Sequence, residues 1–280
     1  MLLFHQVNKM KKNNLKRALP ATVLMLFLML IVTLSALGVR QKREAEMVQK
    51  AEQAQRDAEE KIYLMGNFNP AQREDFILVP QQYTVFGVND MYLRKETLNA
   101  YLQMQDAAGK DGIEIKIASA TRNFDYQKNL WNSEWSGVKI VNGENLAQSF
   151  PDGFVRFKKI LEYVAVPGTS RHHWGTEIDI NGANLPYFES ETGIREYQWL
   201  VKNAGSFGFC QTYRARGLDR RTGYGEEKWH WSYLPLARVF TQEYKRLIKN
   251  EDIKGFLGDQ YALGQDLVNQ YALNINPDCL

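Results

Sequence analysis

Two short segments of this 280-residue chain carry most of its unusual side chains. Residues 167–180 read PGTSRHHWGTEIDI, and residues 224–231 read YGEEKWHW. The tripeptide IDI at 178–180 alternates apolar and acidic side chains, which is typical of a short strand with one buried face. Gly175 separates this strand from the paired histidines, which argues against a single helix face. We therefore expect a loop that runs into a strand and brings a histidine and the aspartate to one point.

Composition limits the kind of site that this chain can build. The four histidines are His5, His172, His173 and His230, and the two cysteines are Cys210 and Cys279. These counts exclude a Cys-rich zinc scaffold, an iron–sulfur protein and a disulfide-dense mini-domain. Any metal site must therefore combine very few histidines with carboxylates. The net charge of +3 indicates no nucleic-acid partner, and a 44% hydrophobic content excludes a mainly disordered chain.

An apolar run at residues 18–39 predicts a transmembrane helix. Its 22 uncharged residues would span ~33 Å, which covers the ~30 Å hydrocarbon core of a bilayer. Residues 1–17 contain five basic side chains and no acid, so this flank should stay in the cytoplasm. We expect a single pass through the lipid bilayer of the inner (cytoplasmic) membrane, with the C-terminal domain in the periplasm or outside the membrane. A cleaved signal peptide is the alternative, since small residues at 36–38 have the spacing of a cleavage site.

Residues 40–66 are predicted to form a helical stalk. The stretch 40–62 contains neither Gly nor Pro, and its six bases balance six acids. Its apolar residues recur at helical spacing: Met47, Ala51, Ala54, Ala58 and Ile62. A solvated helix is the simplest interpretation, and a weak dimer through a short coiled coil is the alternative.

Residues 67–247 are predicted to form one α+β domain, in which helices accompany a small antiparallel sheet. Apolar periodicity predicts helices at 91–108, 123–135 and 154–161, and strands at 113–117, 177–180, 207–212 and 229–233. The strands do not alternate regularly with long helices, which favours α+β over a parallel sheet. The tail, 248–280, is predicted to add one or two packed helices. Cys210 and Cys279 form either a disulfide that ties this tail down or two free thiols.

The residue types in the two unusual segments allow a metal site, although a lone histidine is more often structural and Asp179 alone could be any loop acid. One histidine of the pair at 172–173, together with Asp179 and His230, offers the nitrogen and oxygen donors of a catalytic zinc ion. Glu227 precedes His230 by three residues, so a turn or bulge must intervene if both are to face the metal. Zinc would acidify a water molecule, and the carboxylate would carry its proton to the leaving amine.

Three ordered motifs carry a family resemblance. Ser170-x-His172-x-x-Gly175-x-x-x-Asp179, followed by Glu227-x-Trp229-His230, resembles the zinc D-alanyl-D-alanine carboxypeptidases. These include the vancomycin-resistance D,D-carboxypeptidases of the lysostaphin/D-Ala-D-Ala peptidase/hedgehog superfamily. Residues 119–127, SATRNFDYQ, resemble that family's Ser-x-x-Arg-x-x-x-x-Gln segment, and the likeness covers roughly residues 80–240.

The resemblance implies a role for each motif residue. The zinc (Zn²⁺) ligands would be His172, Asp179 and His230, and the general base would be Glu227. Arg122 would polarise the scissile carbonyl and stabilise its oxyanion. The substrate's peptide and terminal carboxylate would be held by Ser119, Gln127 and Ser170. His173 is not a motif ligand, and we expect it to pack or, at most, to lie beside the ligands or the substrate.

The activity that the resemblance implies is removal of the C-terminal D-amino acid from peptidoglycan stem peptides by a membrane-anchored zinc D,D-carboxypeptidase. L,D-carboxypeptidase or endopeptidase cleavage at the same site is one alternative, and a non-catalytic cell-wall-binding module is another. Two places depart from the family pattern: Ala120-Thr121 stand where the family more commonly has Gly-Tyr before the arginine, and Glu177 stands where the family usually has Ala. Its carboxylate either points away from the metal or alters the charge or the substrate preference of the site.

Overall fold

The computed structural model describes residues 21–280, and the chain divides into two compact units. The first unit ends at Arg56, and the second comprises Asp57–Leu280. The predicted basic flank, 1–17, and the first three residues of the predicted membrane span lie outside the described residues.

Helix α1, Ala21–Leu64, contains most of the predicted span and nearly all of the predicted stalk. Among residues 21–280, it is the helix that is long and apolar enough to cross a membrane, and its apolar stretch is exposed. This stretch is a candidate single-pass anchor or signal sequence. The helix ends just before Gly66, whose φ of +78° suits glycine. A Cβ atom there would lie 2.5 Å from Nδ1 of His173, so the close approach also requires glycine.

Two antiparallel sheets belong to the second unit. Strands β1 (Phe76–Leu78) and β2 (Tyr92–Arg94) form a pair. The larger sheet contains β3 (Ile117–Ser119), β4 (Glu177–Ile180), β5 (Phe209–Gln211) and β6 (His230–Tyr233), in the order β3-β4-β6-β5. Its register sets Asp179 opposite both Ser119 and His230, so three predicted site residues meet across adjacent strands.

Helices cover the sheet and build two hydrophobic cores. The helices of the second unit are α2 (Lys95–Lys110), α3 (Phe124–Trp135), α4 (Leu146–Ser149), α5 (Gly153–Ile160), α6 (Leu185–Glu189), α7 (Glu191–Asn203) and α8 (Leu234–Leu247). Ile178 and Ile180 enter the core that includes Tyr101 of α2 and Leu200 of α7. Alternation along β4 therefore turns Glu177 and Asp179 toward the opposite face of the sheet.

The α+β prediction is confirmed, and the differences from the predicted elements have local causes. The helix predicted at 91–108 begins at Lys95, because residues 92–94 pair with β1 instead. The strand predicted at 113–117 is shifted, and β3 begins at Ile117. Strand β4 has the predicted bounds, and Asn123 caps α3 by accepting a hydrogen bond from the Tyr126 amide.

The C-terminal tail differs from its prediction. Residues 248–280 form short 3₁₀ turns and one π-helical turn, Val268–Ala272, instead of one or two α-helices. Glycines at 255, 258 and 264 have positive φ and interrupt any longer helix. Cys210 and Cys279 form a disulfide with a Cα–Cα distance of 5.7 Å, which selects one of the two alternatives for these cysteines. The tail is therefore tied to β5.

Candidate metal centre

Three buried side chains from three elements meet in the second unit. His172 lies in a 3₁₀ turn, Arg171–Trp174, while Asp179 belongs to β4 and His230 begins β6. One ligand atom from each lies within 4.8 Å of the others. The predicted ligand set is thus brought together by the register of two strands and the loop that precedes β4.

The orientation of His172 leaves one ring nitrogen available. Its Nδ1 lies 2.7 Å from the Ala120 carbonyl oxygen, so this nitrogen carries the proton and donates. Nε2 then faces Asp179, 3.3 Å from Oδ1. Among residues 21–280, neither of these two facing atoms has a hydrogen-bond partner, although both are buried. Burial lowers the pKa of His172, which keeps the imidazole neutral and suited to binding a cation.

Asp179 supplies the negative charge of the cluster. Burial alone would raise its pKa, but His172, His230 and Arg122 outweigh burial and hold the pKa well below its usual range. Two imidazoles and one ionised carboxylate form a common donor set for catalytic zinc, and the unpaired Nε2 and Oδ1 fit a shared cation. The residues present therefore fit a zinc ion.

His230 has a carboxylate on each side of its ring. Nδ1 lies 2.9 Å from Glu227 Oε2 and 3.6 Å from Asp179 Oδ1, whereas Nε2 lies 3.0 Å from Glu177 Oε2. Burial lowers the pKa of this ring, but hydrogen bonds to the two glutamates outweigh burial and raise the pKa to about 10. A metal that binds Nδ1 must therefore displace a proton.

A turn places Glu227 beside His230. The His230 amide donates to the Glu227 carbonyl at 3.3 Å, and the Glu227 amide donates to the Tyr213 carbonyl at 2.8 Å. This turn supplies the change in direction that the three-residue spacing requires. Arg122 contacts a second member of the cluster, with Nη2 3.5 Å from Asp179 Oδ2. The proposed base and the proposed oxyanion cation therefore border the same three-residue cluster.

A cleft of about 250 Å³ opens over this cluster. Its lining includes Ser119, Arg122, Tyr126, Ser170 and Glu227. Gln127 is placed differently, because its side chain is fully buried and donates from Nε2 to the Ala165 carbonyl at 2.8 Å. Ala165 lines the cleft, so Gln127 supports the wall. The assigned roles of Ser119, Gln127 and Ser170 toward substrate stay predictions.

His173 points away from its neighbour His172. Its Nδ1 lies 2.5 Å from the Arg122 carbonyl oxygen, and its Nε2 accepts a hydrogen bond from the Gly168 amide at 3.0 Å. Burial lowers the pKa of His173 to about 3, so the ring is neutral. Both nitrogens are used, and the ring fixes the backbone of Arg122.

Two contacts of His230 could not be read from the sequence. The Tyr213 ring packs edge-on to the His230 ring with centroids 5.0 Å apart, and Tyr213 lines the cleft. No motif marks this tyrosine. Glu177, in contrast, could be identified in the sequence as a departure from the family pattern. The sequence did not show in which direction its side chain points. Its side chain is buried behind His230, where Arg171, His230 and Ser232 offset the burial that would raise its pKa and hold that pKa well below its usual range.

Comparison with known proteins gives a consistent assignment. A sequence model of the VanY D-alanyl-D-alanine carboxypeptidase family matches residues 90–236, which is just over half of the chain. A putative carboxypeptidase of Bacillus subtilis, YodJ, is 29% identical over 174 residues, covering 61% of this chain and 56% of the relative. A D-alanyl-D-alanine carboxypeptidase of Enterococcus faecalis is 28% identical over 205 residues, covering 72% of this chain and 69% of the relative.

Solved structures show a more distant likeness. The LdcB LD-carboxypeptidase is 25% identical, with a TM-score of 0.45 over 70% of this chain and 79% of that one. A point mutant of the vancomycin-resistance D,D-pentapeptidase VanY, solved in complex with Zn(II), is 25% identical, with a TM-score of 0.43. That match covers 66% of this chain and 93% of the other.

Proposed function

This chain belongs to the VanY D-alanyl-D-alanine carboxypeptidase family, and on that premise we propose that it is a zinc D,D-carboxypeptidase that trims peptidoglycan stem peptides. It would remove the C-terminal D-amino acid. The observation that carries the proposal is the meeting of the His172–Asp179–His230 cluster with Glu227 and Arg122 at one cleft. The chain spans about half the length of its Bacillus relative, so the activity is inferred from its own residues.

Different residues of the site would carry out metal binding and proton transfer in amide hydrolysis. His172, Asp179 and His230 would hold the zinc ion, which acidifies a water molecule and polarises a carbonyl when bound. Glu227 takes the proton of the attacking water and delivers it to the nitrogen of the leaving D-amino acid. Both the water and the leaving group need contact with this carboxylate, and Glu227 lines the cleft.

Arg122 would stabilise the negative charge that develops on the carbonyl oxygen. Its guanidinium is partly exposed in the cleft and is anchored by Asp179. A fixed cation helps most where charge appears only in the transition state, because it is already oriented when the charge forms. The His173 ring holds the Arg122 backbone and therefore contributes to this orientation.

The lipid bilayer is the second proposed partner. The exposed apolar stretch of α1 and the basic residues at 1–17 support a retained single-pass anchor with the second unit outside the cytoplasmic membrane. Protease treatment of intact spheroplasts should remove the second unit while leaving an anchored fragment. A mature chain that begins near residue 39 would instead identify a cleaved signal peptide.

The reaction is tested with the full chain in detergent. Defined disaccharide pentapeptides are incubated with the purified protein, and products are identified by mass spectrometry. Loss of one terminal D-alanine, abolished by a chelator and restored by zinc, is the expected result. Cleavage of a tetrapeptide or of a cross-link alone would assign L,D-carboxypeptidase or endopeptidase activity. Binding to cell walls without any cleavage would assign a binding module.

A further inference from the structure

The Glu177 side chain lies at the centre of a buried polar network behind the metal centre. Its carboxylate is fully buried and accepts hydrogen bonds from five side chains. These are Arg171 Nε at 3.2 Å, His230 Nε2 at 3.0 Å, Thr212 Oγ1 at 3.1 Å, Thr176 Oγ1 at 3.5 Å, and the Ser232 hydroxyl. The guanidinium of Arg171 compensates the negative charge of the Glu177 carboxylate. We refer to Glu177, Arg171, Thr212, Ser232 and Thr241 as the buried network.

Strand register explains how Glu177 reaches His230. Glu177 and Asp179 are two residues apart on β4 and therefore share a face. Asp179 pairs with His230 across the strands, and Glu177 pairs with Ser232. The imidazole consequently lies between the two carboxylates, with Nδ1 toward Asp179 and Nε2 toward Glu177. A family-typical alanine at 177 could make none of these hydrogen bonds.

The hydrogen bond between Glu177 and His230 bears on which ring nitrogen of the neutral histidine carries the proton. An ionised carboxylate only accepts hydrogen bonds, so the nitrogen that faces Glu177 must be a donor. Nδ1 also faces a carboxylate, Glu227 Oε2 at 2.9 Å, but it is the nitrogen on the side of Asp179. A metal bound in the cluster would displace the proton on Nδ1, and the proton that His230 keeps would then lie on Nε2, in the hydrogen bond to Glu177.

The network also holds Glu177 in place. Arg171 donates from Nη1 to Thr241 Oγ1 at 2.9 Å, and its guanidinium lies 4.4 Å from the centroid of the Trp174 ring. Both charged side chains are fully buried, and each has partners besides the other. A fully satisfied buried network is rigid, whereas a half-satisfied one is costly. Glu177 can therefore act as a fixed acceptor for His230.

We propose that Glu177 is a positioning residue of the metal centre, which holds His230 as the Nε2–H tautomer and aims its Nδ1 at the metal. The proposal rests on the proposed zinc-dependent function, and it assigns a role to a residue that departs from the family pattern. Partners of this kind raise the basicity of a ligating histidine and fix its ring, and their loss typically costs 10–100-fold in metal affinity. Glu177 thus acts through His230 and touches no substrate.

The first measurement compares zinc affinities of full-length variants by competition with a chromogenic chelator. Glu177→Gln should weaken zinc binding by about 10–100-fold. Glu196→Gln is the matched control, because Glu196 is also buried and hydrogen-bonded but contacts Asn181 and Tyr187 instead of the cluster. This control should keep wild-type affinity, and a folded Glu177→Gln protein with wild-type affinity would overturn the proposal.

The second measurement needs no variant at position 177 and therefore does not depend on its folding. The chain has four histidines, so ¹⁵N-histidine labelling yields eight ring nitrogens in the NMR spectrum. In the zinc-loaded wild type, His230 should show a protonated Nε2 and a metal-bound Nδ1. Assignment uses the spectrum of His230→Asn. Coordination of zinc through Nε2 would overturn the proposal.

Neither measurement uses substrate, so the outcomes separate the two proposals. Zinc binding without cleavage of any stem peptide would refute the proposed reaction, while the affinities and the tautomer would still decide the role of Glu177. Cleavage by the wild type with unchanged zinc affinity in folded Glu177→Gln would refute the role of Glu177 alone. A wild-type chain that binds no zinc would overturn both.

Discussion

The two sides of His230 place similar carboxylates in different surroundings. In front, Glu227 and Arg122 are partly exposed, with 21% and 19% of their side chains accessible. Behind, Glu177 and Arg171 are fully buried and paired with each other. Groups that exchange protons with substrate need access to the cleft, whereas groups that orient a ligand need rigid partners. Substitutions of Glu227 and Arg122 should therefore affect turnover, whereas substitutions of Glu177 and Arg171 should affect metal binding or stability.

The largest effect is expected for Glu227→Gln. The amide keeps the shape of the side chain but cannot take a proton, so kcat should fall about 10³-fold, within the usual contribution of general acid–base catalysis. Zinc content, measured by elemental analysis, should stay near one ion per chain. Unchanged turnover of a purified pentapeptide would refute the assignment of the base. Loss of zinc together with loss of turnover would mean that the Glu227 carboxylate is also needed for metal binding.

Removal of the disulfide tests whether the tail stabilises the back of the site. Asn276 lies three residues before Cys279, close to the disulfide. Its backbone N–H donates a hydrogen bond to the Thr212 carbonyl oxygen at 2.8 Å. Because the bond spans 69 positions in sequence, the double variant Cys210→Ser/Cys279→Ser should lose about 2–4 kcal/mol of unfolding free energy. Urea unfolding measures this loss. A stability equal to that of the wild type would show that the tail is held by packing alone.

A smaller effect is expected for Arg122→Lys. Lysine keeps the charge but loses the planar fork that Arg122 presents beside Asp179, so kcat should fall about 100-fold with a smaller change in KM. Steady-state kinetics on the pentapeptide separate the two parameters. Arg73→Lys is a suitable control, since Arg73 pairs with Asp75 outside the cleft. A rise in KM at constant kcat would instead assign Arg122 to ground-state binding.

The smallest effect concerns Asp75, a carboxylate that is 30% exposed and lies between two arginines. Burial raises its pKa, but hydrogen bonding and charge from Arg73 and charge from Arg94 outweigh burial and hold the pKa below its usual range. Its stabilising contribution is therefore present above pH ~4 and lost as the pH falls through the lowered value. Asp75→Asn should cost less than about 1 kcal/mol at pH 6.

The pH dependence of thermal unfolding checks this expectation. The difference in stability between wild type and Asp75→Asn should shrink as the pH falls through the lowered pKa of Asp75, because the protonated carboxyl is neutral like the amide. A difference that persists at low pH would show that Asp75 stabilises the fold through packing and neutral hydrogen bonds.

Local patterns were sufficient for much of the fold. The strand at Glu177–Ile180 and the helix that begins after Asn123 follow from alternation and capping, which depend on neighbouring residues. The tail was predicted less well. Its apolar residues could be recognised, but glycines with positive φ and a disulfide determine its path, and neither effect has a helical period.

The sequence by itself determined which side chains are available to the metal, because residue types and spacing carry the chemistry of His172, Asp179, His230 and Glu227. It could not determine where Glu177 and Gln127 point. Only the tertiary structure decided that Glu177 reaches His230 across 53 positions of sequence and that Gln127 supports the cleft wall. The physical reason is that strand register and packing, not local propensity, set the contacts between residues far apart in the chain.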